Sequence, residues 1–168
     1  ESVRRIGVMP GVTSAALGAH SFASTKIDIR PGLFPNTINL ASAGTVEVAL
    51  LSTDRLNARE VDPSSLRFGR TGEEASLHHQ GDEPACSFAD VNGDDLLDLV
   101  CQFEIASTGF VATDVEGVLH GRTWAGTALD GRDSIRPVTH TLYSFIGNDL
   151  VGISSHDAST SLIGASGI

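Results

Sequence analysis

Asp90-Val91-Asn92-Gly93-Asp94-Asp95-Leu96-Leu97-Asp98, running on into Leu99-Val100-Cys101-Gln102-Phe103, is the stretch on which the reading of the fold turns. Besides Asp95 at position 6, its oxygen-bearing side chains fall at relative positions 1, 3, 5 and 9, the order in which a tight loop wraps a calcium ion. Calcium takes roughly six to eight oxygen ligands at about 2.3–2.6 Å and tolerates flexible geometry. Asp90, Asn92 and Asp94 can converge from one side, the Leu96 carbonyl can stand at position 7, and Asp98 can close the loop. Clustered carboxylates repel one another unless a cation sits among them. An occupied loop therefore makes better physical sense than a solvated acidic turn.

The flanks decide what kind of loop this is. A helix–loop–helix calcium hand needs a bidentate Glu at position 12, and here that residue is Cys101. Downstream, Leu99, Cys101 and Phe103 alternate onto one face of an extended chain. Upstream, Ala85-Cys86-Ser87-Phe88-Ala89 is also strand-like. The loop is therefore expected to join two β-strands and to brace them, a structural role rather than a sensing one. Asp95 stands at position 6, where glycine is usual; Asp tolerates left-handed backbone better than most residues and is expected to face solvent there.

Working outward, Thr37–Leu40, Thr45–Leu51, Leu66–Phe68, Gly117–Leu119, Ser134–Arg136 and Leu142–Ile146 read as further strands, and the span Asp54–Asp62 has room for one helical turn. Residues 69–84 are rich in Gly, Glu and His and are expected to form an exposed loop. No helix of useful length emerges, so the expected fold is all-β, a β-sandwich with an inter-strand calcium-binding loop. The expected organisation is an N-terminal extension over residues 1–25, serving as a possible assembly arm, a core over 26–138, and a C-terminal strand and tail over 139–168.

The 168 residues suffice for one domain with a real core. A formal net charge of −10 argues against nucleic acid and anionic lipid as partners and agrees with cation binding. No run approaches the roughly 18 apolar residues of a membrane span. Cys86 and Cys101 bracket the acidic loop. A disulfide between them would close a loop worth about 3 kcal/mol in the chain-entropy treatment; two buried free thiols are the alternative. An oxidising, calcium-rich compartment would explain the cysteines and the loop together.

Several motifs recur in an order that resembles a calcium-loop-containing, β-rich domain family of secreted bacterial and archaeal proteins. They are Ile27-Asp28-Ile29-Arg30-Pro31-Gly32 with Pro35-Asn36, Val46–Leu51, Val61–Phe68, Asp90–Asp98 with Leu99-Val100, and Gly131-Arg132-Asp133-Ser134-Ile135. The likeness spans about residues 26–138. It implies a secreted, extracellular or cell-surface module, often attached to larger proteins, with Asp90, Asn92, Asp94 and Asp98 as side-chain ligands to Ca2+.

The function expected from these features is a calcium-stabilised structural or self-assembly module, as in a fibre or surface layer. Its partners would be copies of itself or other cell-surface proteins, joined by exchange of terminal strands. The alternative is a carbohydrate-binding or adhesive module in which Trp124 and Tyr143 stack on sugar rings; its signature would be an exposed Trp124 beside a groove. Catalysis is not expected, because the chain lacks a nucleophile elbow, a phosphate-binding glycine loop and a His-Glu-x-x-His motif. His78-His79 reads as a solvated pair more readily than a metal site. Ser154-Ser155-His156-Asp157 holds triad residue types at consecutive positions, which does not establish triad geometry. His20, His120 and His140 have no spacing that singles them out, and Asp133 fits either a second calcium or a turn hydrogen bond.

Overall fold

The computed structural model describes residues 23–139, together with the backbone of strands within 142–146, 149–153 and 160–165. No α-helix occurs among the described residues, and 3-10 turns at Ala58–Glu60, Pro63–Ser65 and Ile105–Ser107 interrupt the strands. The first two turns start on Asn57 and Asp62, whose side chains accept the N–H groups of Arg59 and Ser64, the usual chemistry of an N-cap. The all-β expectation holds.

Seven strands form one mixed sheet in the order β4-β9-β10-β1-β3-β8-β7. They are β1 (Ala23–Ile29), β3 (Thr45–Leu50), β4 (Arg67–Gly69), β7 (Cys86–Ala89), β8 (Asp98–Glu104), β9 (Glu116–Arg122) and β10 (Ala128–Ser134). Strand β1 belongs to both halves. Its residues Ala23–Lys26 pair parallel with β10, and Ile27–Ile29 pair antiparallel with β3. Small two-stranded sheets join β2 (Thr37–Asn39) to β11 (Arg136–Val138) in parallel, and β5 (His79–Gln80) to β6 (Glu83–Pro84). Strands β12 (Leu142–Ile146), β13 (Asp149–Ile153) and β14 (Thr160–Ala165) form a separate antiparallel sheet.

The large sheet is strongly curled. Strands β4 and β8 stand five places apart in its order, about 24 Å on a flat sheet at roughly 4.8 Å per strand. Yet the rings of Phe68 on β4 and Phe103 on β8 have centroids 5.0 Å apart. The two halves must therefore face each other, with Ile29, Val48, Leu50, Leu99, Leu119 and Leu129 packed between them. A core of this kind is shared by both halves of one sheet; two separately hydrogen-bonded sheets of a sandwich are not what the pairing shows.

Residues 74–78 bridge the curled ends. The Phe68 N–H donates to the Glu74 carbonyl at 3.2 Å, the Glu104 N–H to Ser76 at 2.7 Å, and the His78 N–H to Gln102 at 2.8 Å. Ser76 and Leu77 are buried. The expectation of an exposed loop over 69–84 holds for most of its residues, Arg70, Thr71 and 79–83 among them, but Ser76 and Leu77 depart from it: polar composition hid a short stretch whose backbone joins β4 to β8.

The expected strands at 37–40, 45–51, 66–68 and 117–119 are present with end shifts of a few residues. Ser134–Arg136 is instead the junction of β10 and β11, with Ile135 donating its N–H to the Val115 carbonyl at 2.9 Å. Residues 1–22 of the expected N-terminal extension, and the Ser154–Asp157 cluster, lie outside the described residues.

Candidate functional site

The acidic loop connects β7 to β8, as its flanks predict, and the two strands pair from Cys86↔Cys101 to Ala89↔Asp98. A disulfide joins Cys86 to Cys101. The free-thiol alternative is thereby excluded. Leu99, Cys101 and Phe103 are buried on one face, the alternation read from the sequence.

Inside the loop, Asp90 organises the turn. Its Oδ1 accepts the N–H of Gly93 at 2.7 Å and of Asp94 at 3.2 Å, and its Oδ2 accepts the N–H of Asp95 at 3.0 Å. Desolvation pushes the Asp90 carboxyl upward, but the backbone N–H groups of Asp95, Gly93, Asp94 and Asn92 outweigh it and hold the group below the usual carboxylate range. Asp95 adopts φ 66°, so Asp does occupy left-handed backbone at the position where glycine is usual, and it is exposed. Asn92 Oδ1 accepts the Asp94 N–H at 3.1 Å, Asn92 Nδ2 donates to Asp94 Oδ2 at 3.0 Å, and Asp94 Oδ1 accepts the Leu96 N–H at 2.9 Å. Asp90, Asn92 and Asp94 thus share one exposed turn.

Asp98 is placed differently. It is 0 % exposed at the first position of β8. Its Oδ1 accepts the Ser52 N–H at 2.8 Å and its Oδ2 the Val91 N–H at 3.1 Å. Ser52, which sequence reasoning did not single out, also donates its hydroxyl to the Leu97 carbonyl at 2.6 Å and accepts the Ala58 N–H at 2.9 Å. Together Asp98 and Ser52 fasten the loop to the segment after β3. Among the described residues, no three His, Cys, Asp or Glu side chains gather into a ready metal-holding group. The fit to calcium is therefore partial: oxygen donors share a turn at Asp90, Asn92 and Asp94, while Asp98 is turned inward. Each Asp98 oxygen accepts one N–H and keeps a further lone pair.

A groove of about 930 Å³ lies beside the loop, with Asn92, Asp94 and Leu96 in its wall. Thr123 and Ala125 line its other side, and Trp124 between them is 68 % exposed.

The remaining candidates fall elsewhere. His78 Nδ1 lies 3.2 Å from Glu104 Oε1 and His79 Nδ1 lies 3.1 Å from the Leu77 carbonyl, so the two rings serve separate partners. Asp133 makes hydrogen bonds, accepting the Ile29 N–H and Asn36 Nδ2, each at 2.9 Å. Burial first and the Asp133 carboxylate second push the nearby Asp28 carboxyl above its ordinary value, against the Gly32 N–H that lowers it. His120 stands between Glu73 Oε1 at 3.0 Å and Asp130 Oδ2 at 3.1 Å. No sequence spacing marks that cluster, because its carboxylates come from a remote loop and the neighbouring strand. Tyr143 lies in β12, of which only the backbone is described.

Compared with protein-family models, with curated proteins and with solved structures, the chain finds no match.

Proposed function

We propose that this chain is a non-catalytic, calcium-stabilised structural or assembly module of the extracellular space, related to the secreted β-rich domains that its motif order resembles. The observation that carries the reading is the Cys86–Cys101 disulfide set directly behind the acidic loop. Disulfides persist in oxidising compartments, and extracellular calcium sites work at about 10⁻⁴–10⁻³ M. On this reading Asp90, Asn92, Asp94 and the Leu96 carbonyl hold Ca2+ at the exposed turn. Asp98 completes the set through its spare lone pairs while bracing the loop, and the curled sheet serves as a sandwich whose halves share β1. Assembly would proceed through terminal strands exchanged between copies or with other cell-surface proteins.

Calcium bound only by the folded state adds RT ln(1 + [Ca]/Kd), about 2.7 kcal/mol at a hundredfold excess over Kd. Thermal unfolding in 5 mM calcium and in chelator is the test. A higher midpoint in calcium is expected for the native chain and for His79→Ala, but not for Asp90→Asn. An unchanged midpoint in the native chain would sink the calcium reading.

The exposure of Trp124 beside the groove favours a second reading, a polysaccharide-binding module. Glycan-array binding that Trp124→Ala abolishes would support it, and binding unaffected by that change would remove Trp124 from the argument.

A further inference from the structure

Strand β1 has one edge that its pairing leaves open. Alternate residues of a strand direct their N–H and C=O groups to the same side. The Lys26 carbonyl accepts the Leu51 N–H at 2.9 Å and the Arg30 N–H donates to the Glu47 carbonyl at 2.8 Å, so the even-numbered residues face β3. Pairing with β3 ends at Ile27↔Leu50. Beyond it the chain turns away through Leu51–Leu56, closed by a Thr53 N–H bond to the Leu56 carbonyl at 2.8 Å. The N–H and C=O of Ser24 and the N–H of Lys26 consequently point to a side where no described strand stands.

That side is the groove described above. Its floor includes Thr25, Leu51, Leu56 and Leu129, the last of them fully buried. Thr25 Oγ1 is buried with no hydrogen-bond partner among the described residues. A buried hydroxyl without a partner is costly, and an unpaired strand edge invites another strand. An apolar floor, an orphan hydroxyl and an open edge are together the complement of an extended peptide.

We propose that the slot is filled by a strand drawn from the 22 residues that precede Ala23. Ala23, the first described residue and the one this segment leads into, itself lines the groove. Within it, Val12-Thr13-Ser14-Ala15-Ala16-Leu17 is bounded by Gly11 and Gly18 and free of proline. Six residues in extended form span about 20 Å, longer than the open edge. Small side chains let a backbone lie close to β1, and the added strand would satisfy Ser24, Lys26 and the Thr25 hydroxyl. The slot goes beyond the assembly reading and does not need it: the segment that fills it is the chain's own, folded back beside β1.

Amide hydrogen exchange on the full chain tests this. The Ser24 and Lys26 amides should exchange at least about 100-fold more slowly than in free peptide, as paired strand amides do. Ala15→Pro and Ala16→Pro address opposite edges of the added strand, so in either register one of them removes a donor. One of the two should return Ser24 and Lys26 to free-peptide exchange while the Ala49 and Val100 amides stay protected. Unprotected Ser24 and Lys26 in the native chain, or protection that survives both prolines, overturns the proposal. Dilution separates it from the assembly reading. Protection that persists at nanomolar protein is expected, whereas protection lost on dilution would overturn the intrachain slot in favour of exchange between copies.

Discussion

Replacing Asp98 by Asn separates bracing from metal binding, because the side chain is fully buried and both its oxygens accept N–H groups. Asn keeps the volume but turns one acceptor into an NH₂, which would face the N–H of Ser52 or of Val91. A hydrogen bond to a charged group is worth about 1.5–3 kcal/mol, and a buried donor left unpaired costs about 1–3 kcal/mol. Allowing for coupling between the two, the loss should be about 3–5 kcal/mol. With a denaturant slope of about 1–3 kcal/mol/M, the urea midpoint should fall by about 1–5 M. The assay is urea unfolding of the oxidised protein, run in chelator and again in calcium. Asp98→Asn should be destabilised in both, whereas for Asp90→Asn only the calcium-dependent part of the loss should vanish in chelator, leaving the cost of weakening its backbone N–H bonds. A change below about 0.5 kcal/mol for Asp98→Asn in chelator, the size of an ordinary surface substitution, would refute the bracing argument.

Three further outcomes are expected. Replacing both Cys86 and Cys101 by Ala opens a link of sequence separation 15 and should cost about 3 kcal/mol, read as a lower unfolding midpoint without loss of the β-rich circular-dichroism spectrum. Gly69→Ala would put a Cβ 2.2 Å from the Thr108 carbonyl oxygen; because that atom is backbone, a cost of about 1–3 kcal/mol or more is expected by thermal melting. Asp28 has a raised folded-state pKa, so its contribution to stability is full below its unfolded value and is lost as pH rises through the folded one. Asp28→Asn should therefore melt higher than the native chain at pH 7, with the gap closing towards pH 3; an equal gap at both pH values would contradict this.

The parts of the fold that were legible in the sequence are those whose signal is local. Leu99, Cys101 and Phe103 alternate without interruption, and Thr45, Val46 and Val48 give Thr45–Leu50 a clear β-propensity after Gly44, so both strands could be read directly. Strand β10 could not. Its inward positions are Leu129 and Gly131, and glycine is required because a Cβ there would meet Ile27 Cγ2 at 2.6 Å. A strand that buries one leucine and one glycine carries little hydrophobic periodicity. The parallel pairings were equally hidden, since Ala23↔Leu129 and Thr37↔Arg136 join residues about a hundred positions apart. At the site, spacing brought Asp90, Asn92 and Asp94 into one turn but said nothing of Ser52. The inward aim of Asp98 depends on that residue, which lies 46 positions away.

The parallel pairing of β1 with β10 has a mechanical consequence. Tension between Ala23 and Val138 would draw the start of β1 one way and the end of β10 the other. The Ala23–Lys26 ladder would then be sheared with its bonds loaded together, rather than unzipped one at a time. The second parallel pair, β2 with β11, lies on the same route to Val138. Under load from its two ends, the domain should therefore resist as a clamp, and single-molecule pulling should show one high-force rupture where a peeled hairpin would give way gradually.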